Sequence, residues 1–356
     1  MSNRNRMLLG LLLATTAWAA ELDPAALVEQ GHYKRAWALL EKRLAANPKD
    51  AGALVLMARV KLAYNDPETA KKLLQQAIAL QPKDSAAHLA LADAYSRGAN
   101  DAGFFEKIRL AKLILGETNE ALADDPKNID AMGGLMSFYL EAPGIMGGSL
   151  SKARETAARI MALDRVKGNF ALAEIAQHEK EFGKLEGFYL SAVAADPKSY
   201  EALVALASFY LGDRSRDYAK AADYAQKALG VDPTRSGAYS VLAQAYASQE
   251  RWADLDPLLG RAEKGVPDNL VPCYVAGRTL VINGKYPARA ERYFRKYLTQ
   301  QDAEGGTPPL AAAHWRLGLA LEKQGRKQEA IQEIQTAVQM KPDLKEAQKD
   351  LKLLKS

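Results

Sequence analysis

One cysteine, Cys273, serves all 356 residues, so an intramolecular disulfide is impossible and no C-x-x-C pair exists for redox or zinc chemistry. Histidine is scarce too. His32, His88, His178 and His314 are far apart, and "HEKEF" puts Phe182 where a zinc-peptidase motif needs its second histidine. The remaining pair, His178 with Glu174, offers two ligands on one helix face and is expected to be solvated. There is no G-x-S-x-G elbow, and Cys273 follows Pro272 in a helical stretch where a small buried residue is expected. No catalytic residue, cofactor or metal is therefore expected. Blocks of one charge are also missing: the net charge is +5, and opposite signs alternate along the chain. Nucleic-acid binding, which calls for a clustered basic face, is not expected.

Long hydrophobic runs are absent as well. The longest, from Met7 to Ala14, follows Arg4 and Arg6 and precedes Ala17-Trp18-Ala19, short of the roughly 20 residues a spanning helix needs. The pattern is that of a cleaved secretory signal over residues 1–19. With no cysteine near the cut and no paired arginines, neither a lipoprotein nor a twin-arginine leader is expected. The mature chain would be periplasmic or secreted, with no integral membrane segment; any membrane association would come through a partner.

The glycines invite a phosphate-binding reading. "EAPGIMGGSLSKARE", residues 141–155, sets Pro143, Gly144, Gly147 and Gly148 ahead of a helix-forming run. A P-loop, however, needs a second glycine and a lysine at the positions held by Ser149 and Leu150, after a buried strand that "DAMGGLMSFYLEA" does not resemble. The loop must be explained by its surroundings.

Those surroundings are periodic. Gly318, Ala330, Ala337 and Pro342 stand 12, 7 and 5 apart; so do Ala58, Ala70, Ala77 and Pro82, then Ala173, Leu185, Ala192 and Pro197, then Ala243, Leu255, Ala262 and Pro267. Partial copies end at Pro48, Pro126 and Pro233. Small residues on facing helices allow close antiparallel approach, and each proline stops the second helix. Gly31, Gly284 and Gly325 are placed to make the intervening turns. Each unit of about 34 residues is too small to bury its own apolar face, so neighbours must stack.

This spacing resembles the tetratricopeptide repeat (TPR) family over nearly all of the mature chain. The resemblance implies an all-α, right-handed α-solenoid of about nine hairpins over 20–342, with a capping helix over 343–356. The first hairpin has a short leading helix from near Asp23. The eighth is irregular, with Arg289 or Ala290 in the small-residue slot and Tyr297 in place of the later alanine. In the ninth, His314 takes the usual tryptophan slot and Trp315 follows it.

Two spacings are stretched. Ala92 and Ile114 stand 22 apart, and Met136 and Ala153 stand 17 apart, which predicts insertions at 97–107 and 143–149 in neighbouring hairpin turns. Together they would form a shelf carrying Phe104, Phe105, Ile145 and Met146. Mutual packing, a partner contact, and anion binding at Gly147-Gly148-Ser149 are its three readings. The loop is similar to one in TPR proteins of bacterial envelopes, which implies no particular activity.

The first helices should line the inner surface. Residues at i, i+4 and i+7 provide stripes such as Gly133, Ser137, Leu140 and Phe170, Glu174, Gln177, without the lysine and asparagine by which TPR co-chaperones hold a carboxylate. Apolar and small polar residues there suit a protein or peptide segment, with Phe170, Tyr274 and Trp315 as candidate anchors. The expected function is a non-enzymatic binding scaffold of the cell envelope. The alternatives are a chaperone for exported precursors and a TPR subunit of a polysaccharide export or secretion machine. The polar stretch "TQQDAEGGTPP", 299–309, is where the stack should be most deformable.

Overall fold

The computed structural model describes residues 23–99 and 102–356; the expected leader lies outside them. Among the described residues the regular structure is entirely helical. Eighteen of the nineteen α-helices pair into nine hairpins: α1 (Pro24–Gln30) with α2 (Tyr33–Ala46), α3 (Ala51–Ala63) with α4 (Pro67–Leu80), α5 (Ser85–Ala99) with α6 (Phe104–Asp124), α7 (Ile129–Glu141) with α8 (Leu150–Leu163), and α9 (Arg165–His178) with α10 (Leu185–Ala195). There follow α11 (Tyr200–Phe209) with α12 (Tyr218–Val231), α13 (Ser236–Ser248) with α14 (Trp252–Gly265), α15 (Val271–Ile282) with α16 (Pro287–Tyr297), and α17 (Leu310–Glu322) with α18 (Lys327–Met340). The last helix, α19 (Lys345–Lys355), packs on α18. None of these helices is long and apolar enough to cross a membrane.

The small-residue rhythm is the hairpin contact itself. Ala58, Ala70, Ala77, Ala243, Leu255, Ala330 and Ala337 are all fully buried. A Cβ added to Gly318 would lie 2.4 Å from Ile334 Cγ1 and 3.0 Å from the Ala330 carbonyl oxygen, so α17 and α18 touch only because that side chain is missing. Side chains of Asp50, Asp66, Asn128, Asp164 and Ser199 accept from backbone N–H groups in the first turns of the helices they precede, satisfying donors a helix start leaves open. Gly31, Gly284 and Gly325 make their turns at φ of 81°, 67° and 77°. Asn65, Lys180 and Glu250 adopt the same left-handed backbone in their own hairpins, which the glycine pattern could not reveal.

One expectation is corrected, and one stretch makes a contact that its sequence did not announce. The surplus at 97–107 is largely helix rather than loop: α6 runs for 21 residues, and its exposed first turn, carrying Phe104 and Phe105, overhangs the hairpin. The apolar and small residues Leu110, Ile114, Thr118 and Ala121 recur every three to four positions along it, and Leu110, Thr118 and Ala121 are buried, so the helix has a face to bury and continues. The 299–309 stretch, expected to be the most deformable, is also bonded to the opposite end of the chain. Gly306 donates to the Ala63 carbonyl at 2.8 Å, and Glu304 is 2% exposed and accepts from the Lys34 N–H at 3.0 Å. The stack therefore closes on itself. Polar composition hid this, because the contact is made by backbone groups and polar side chains rather than by an apolar stripe.

His88 braces α5 against α6. Its Nδ1 lies 2.7 Å from Glu117 Oε2, and its Nε2 faces the Pro82 carbonyl at 3.2 Å and Asp124 at 3.9 Å. Burial opposes a charge there, but Glu117, the Pro82 carbonyl and Asp124 together outweigh it and raise the pKa of His88. A histidine raised on folding stabilises in full below its ordinary value of about 6.5 and loses that contribution as pH rises through the higher folded value. The melting temperature should therefore fall from about pH 6 to about pH 8, and His88→Gln should flatten that slope. An unchanged slope in the variant would rule out this assignment.

Candidate functional site

A cavity of about 870 Å³ opens along the N-terminal halves of α7, α9 and α11 and the segment entering α13. Its floor is apolar, with Ile129, Met136, Val166, Phe170 and Tyr200, and Gly133 and Gly134 leave the wall of α7 bare. The opening lies where the separate cores of the fourth and fifth repeats meet the continuous core running from Tyr200 to Leu354.

Ion pairs between successive repeats run along its walls. Lys167 Nζ lies 2.6 Å from Asp130 Oδ1, and Arg235 pairs with Glu201 at 2.5 Å. Ser137 donates to Glu174 at 2.6 Å, so Glu174 is engaged across repeats rather than with His178. The Arg235 guanidinium sits 4.1 Å from the centre of the Tyr200 ring, and Tyr200 Oη accepts from the Ala238 N–H at 2.9 Å. Burial pushes Tyr200 up; Glu201 is held low despite burial, by its bond to Arg235. The polar groups along the groove are thus largely partnered within the chain.

Its charge is one-sided. The carboxylates of Asp130, Asp164, Glu174, Asp196, Glu201 and Asp232 line it against Lys167, Lys198 and Arg235. Two of the three cations are consumed by the pairs above, which leaves an acidic rim over an apolar floor. Such a site suits a segment that presents basic and apolar side chains together.

The structure separates the three expected anchors. Phe170 lies on the groove floor, half-buried, its ring centre 6.3 Å from that of Tyr189. Tyr274 is 4% exposed, packed against Phe294 and Tyr297 with its hydroxyl accepting from Arg316 at 3.1 Å, and so presents no surface to a partner. Trp315 is half-buried and donates from Nε1 to Asp350 of α19 at 2.8 Å; it secures the cap. The i, i+4, i+7 stripes found Gly133, Phe170 and Glu174 but missed Asp130, Lys167, Glu201 and Arg235. Those four lie one turn nearer the helix starts, where the sequence reads only as capping and turn chemistry.

At the expected shelf, Phe104, Phe105 and Ile145 are exposed by 66%, 84% and 91%, and Met146 is half-buried. The two phenylalanine rings meet edge to face at 5.6 Å, and α6 touches the short turn Gly144–Met146. Anion binding at the glycines is corrected. The N–H groups of Gly147, Gly148 and Ser149 donate to the carbonyls of Gly144, Pro143 and Tyr139, so no cradle is free. Ser149 instead caps α8 through the Lys152 N–H. Burial pushes the Cys273 thiol up to about 12, which keeps it from acting as a thiolate.

Two segments, 27–94 and 274–344, match models of the tetratricopeptide repeat. Comparison with curated proteins finds no match. Among solved structures, the chain is similar to a thermophilic TPR protein of Thermus thermophilus, with 23% identity over 53% of this chain and 96% of that one and a TM-score of 0.46. It is also similar to a tetratricopeptide repeat protein of Parabacteroides merdae, with 16% identity, 86% and 99% coverage and a TM-score of 0.43. A third is YrrB, a TPR protein with an unusual peptide-binding site, at 17% identity, 56% and 95% coverage and a TM-score of 0.32.

Proposed function

We propose that this chain, a tetratricopeptide repeat protein, is a non-enzymatic scaffold of the bacterial cell envelope that holds a basic, partly apolar segment of another protein in the groove of repeats four to seven. Repeats of this kind present protein-binding surfaces. The observation that carries the finer reading is the pairing of an apolar floor at Phe170 with an acidic rim that the ion pairs leave uncompensated. The leader pattern in residues 1–19 supports export to the periplasm. A scaffold, a chaperone for exported precursors and a subunit of an export machine would all use this groove and would differ in the lifetime of the complex. The exposed Phe104, Phe105 and Ile145 offer a second contact surface, distinct from the groove in both place and charge.

The test is fluorescence anisotropy with two labelled peptides of equal length and apolar content, one lysine-rich and one glutamate-rich. The lysine-rich peptide should bind, weaken as salt rises because part of the attraction is screened charge, and lose about tenfold affinity in Phe170→Ala or Glu174→Lys, the order of a single interface anchor. Equal binding of the two peptides would eliminate this reading, as would indifference to both substitutions.

A further inference from the structure

The contact that closes the stack is made by the 299–309 loop together with Asp268 in the turn before α15. Tyr297, standing where the repeat pattern has alanine, is buried; its hydroxyl donates to the Pro308 carbonyl, and Gln300 Oε1 accepts from the Leu270 N–H at 3.2 Å. The loop between these roots places Glu304 against the first two repeats, where Oε1 accepts from the Lys34 N–H and, at 3.2 Å, from Tyr64 Oη. Gly305 permits the approach: a Cβ there would lie 3.0 Å from both the Ala63 Cβ and a Tyr33 ring carbon. Alongside, Lys34 Nζ donates to the carbonyls of Asp268 and Asp302, and Arg35 pairs with Asp268 at 2.7 Å.

The contact is also incomplete. His32 and Glu304 are 3% and 2% exposed, yet both ring nitrogens of His32, Asp268 Oδ2 and Glu304 Oε2 lack hydrogen-bond partners. His32 Nδ1 stands 3.6 Å from Asp268 Oδ2, beyond hydrogen-bond reach. Closing gains the bonds at Oε1, at Asp268, at the Asp302 carbonyl and from Gly306 to Ala63, and leaves four buried polar atoms without a partner in the protein; opening reverses both. The unpartnered atoms offset part of what closing gains and so narrow the gap between two states.

We propose that the 299–309 loop is a releasable latch: the solenoid exchanges between a closed turn, with Glu304 seated on repeats one and two, and an open one. The charged and titratable groups facing Glu304 are Lys34, Arg35 and His32 from the start of the first repeat's second helix, Tyr33 and Tyr64 beside it, and Asp268 and Asp302 from the C-terminal side. Burial, reinforced by Asp268, raises the pKa of Glu304 against the pull of its N–H donors and Lys34. A carboxyl raised on closing favours closure when neutral, so closure is strongest at low pH and weakens as pH rises through the raised value. Opening would free the first repeats from the eighth and relax the curvature that the ring imposes on the groove between them.

The experiment is electron–electron double resonance on the full chain with spin labels at Lys42→Cys and Lys323→Cys, both exposed, the buried Cys273 remaining unlabelled. Two distances are expected, the longer one gaining weight from about pH 5 to about pH 8. Glu304→Gln should hold the shorter distance at both, and Glu304→Lys should leave only the longer. A single distance common to wild type and both variants would overturn the proposal. So would a wild-type distance that stays short at both pH values while Glu304→Lys lengthens it, since that describes a fixed brace.

Discussion

Gly148→Ala should destabilise the fourth repeat by about 2–4 kcal/mol, combining an overpacking cost with loss of a helix cap. A Cβ on Gly148 would fall 1.7 Å from the Ala142 carbonyl oxygen, 2.7 Å from its carbon and 3.2 Å from the Pro143 carbon. These are backbone atoms and cannot swing aside. Moving them breaks the bond from Ser149 N–H to the Tyr139 carbonyl, 2.8 Å long, and with it the placement of the Ser149 cap. Its neighbours calibrate the effect. Gly147 has φ 104° with only a Phe138 ring carbon nearby at 3.5 Å, so alanine there should cost about 1 kcal/mol, the penalty of a left-handed backbone. Gly144 has nothing within 4 Å, so its alanine variant should be neutral. Urea unfolding would rank the three, and hydrogen exchange should place the Gly148→Ala loss in α7 and α8, since repeats contact chiefly their neighbours. Equal costs at 144 and 148 would refute the loop geometry.

Phe294→Ala should cost about 3–5 kcal/mol, the range for deleting a buried aromatic. Phe294 is fully buried, meets Tyr274 edge to face at 5.8 Å, and fills the space Gly277 leaves in α15, where a Cβ would lie 2.9 Å from the ring. Gly277→Ala alone should therefore destabilise by about 1–3 kcal/mol through overpacking. In the Phe294→Ala background the same methyl would enter a cavity and should be neutral or favourable. That non-additivity marks direct contact. Strict additivity in equilibrium denaturation would show that the two positions do not share the space.

Most of the fold is legible because it depends on local spacing. The small and apolar positions of the 12-7-5 rhythm are buried while its prolines are exposed, and Gly31, Gly284 and Gly325 mark turns that need positive φ. Ala290 rather than Arg289 proves to fill the small slot of the eighth repeat, being fully buried, as a pattern with two candidates could not decide. The surplus before Ile114 read as an insertion because residue counting cannot tell an added loop from two added helical turns. The groove was half legible: Phe170 and Glu174 follow from helix periodicity, while the acidic rim comes from turn aspartates whose local role as caps conceals what they face.

The sequence by itself determined the class of the protein: helical, repetitive, without a disulfide, with Phe170 on an inner face and a glycine loop unfit for phosphate. Those features are properties of neighbours along the chain. Only the tertiary structure decided that Tyr274 is buried in packing and Trp315 bonded to the capping helix, that the carboxylates of repeats four to seven converge on one cavity, and that Glu304 reaches Lys34 and Tyr64. Each of these depends on the small rotation from one hairpin to the next, summed over several repeats. A sum of small angles brings residues 270 positions apart within 3.0 Å, and no local spacing records it.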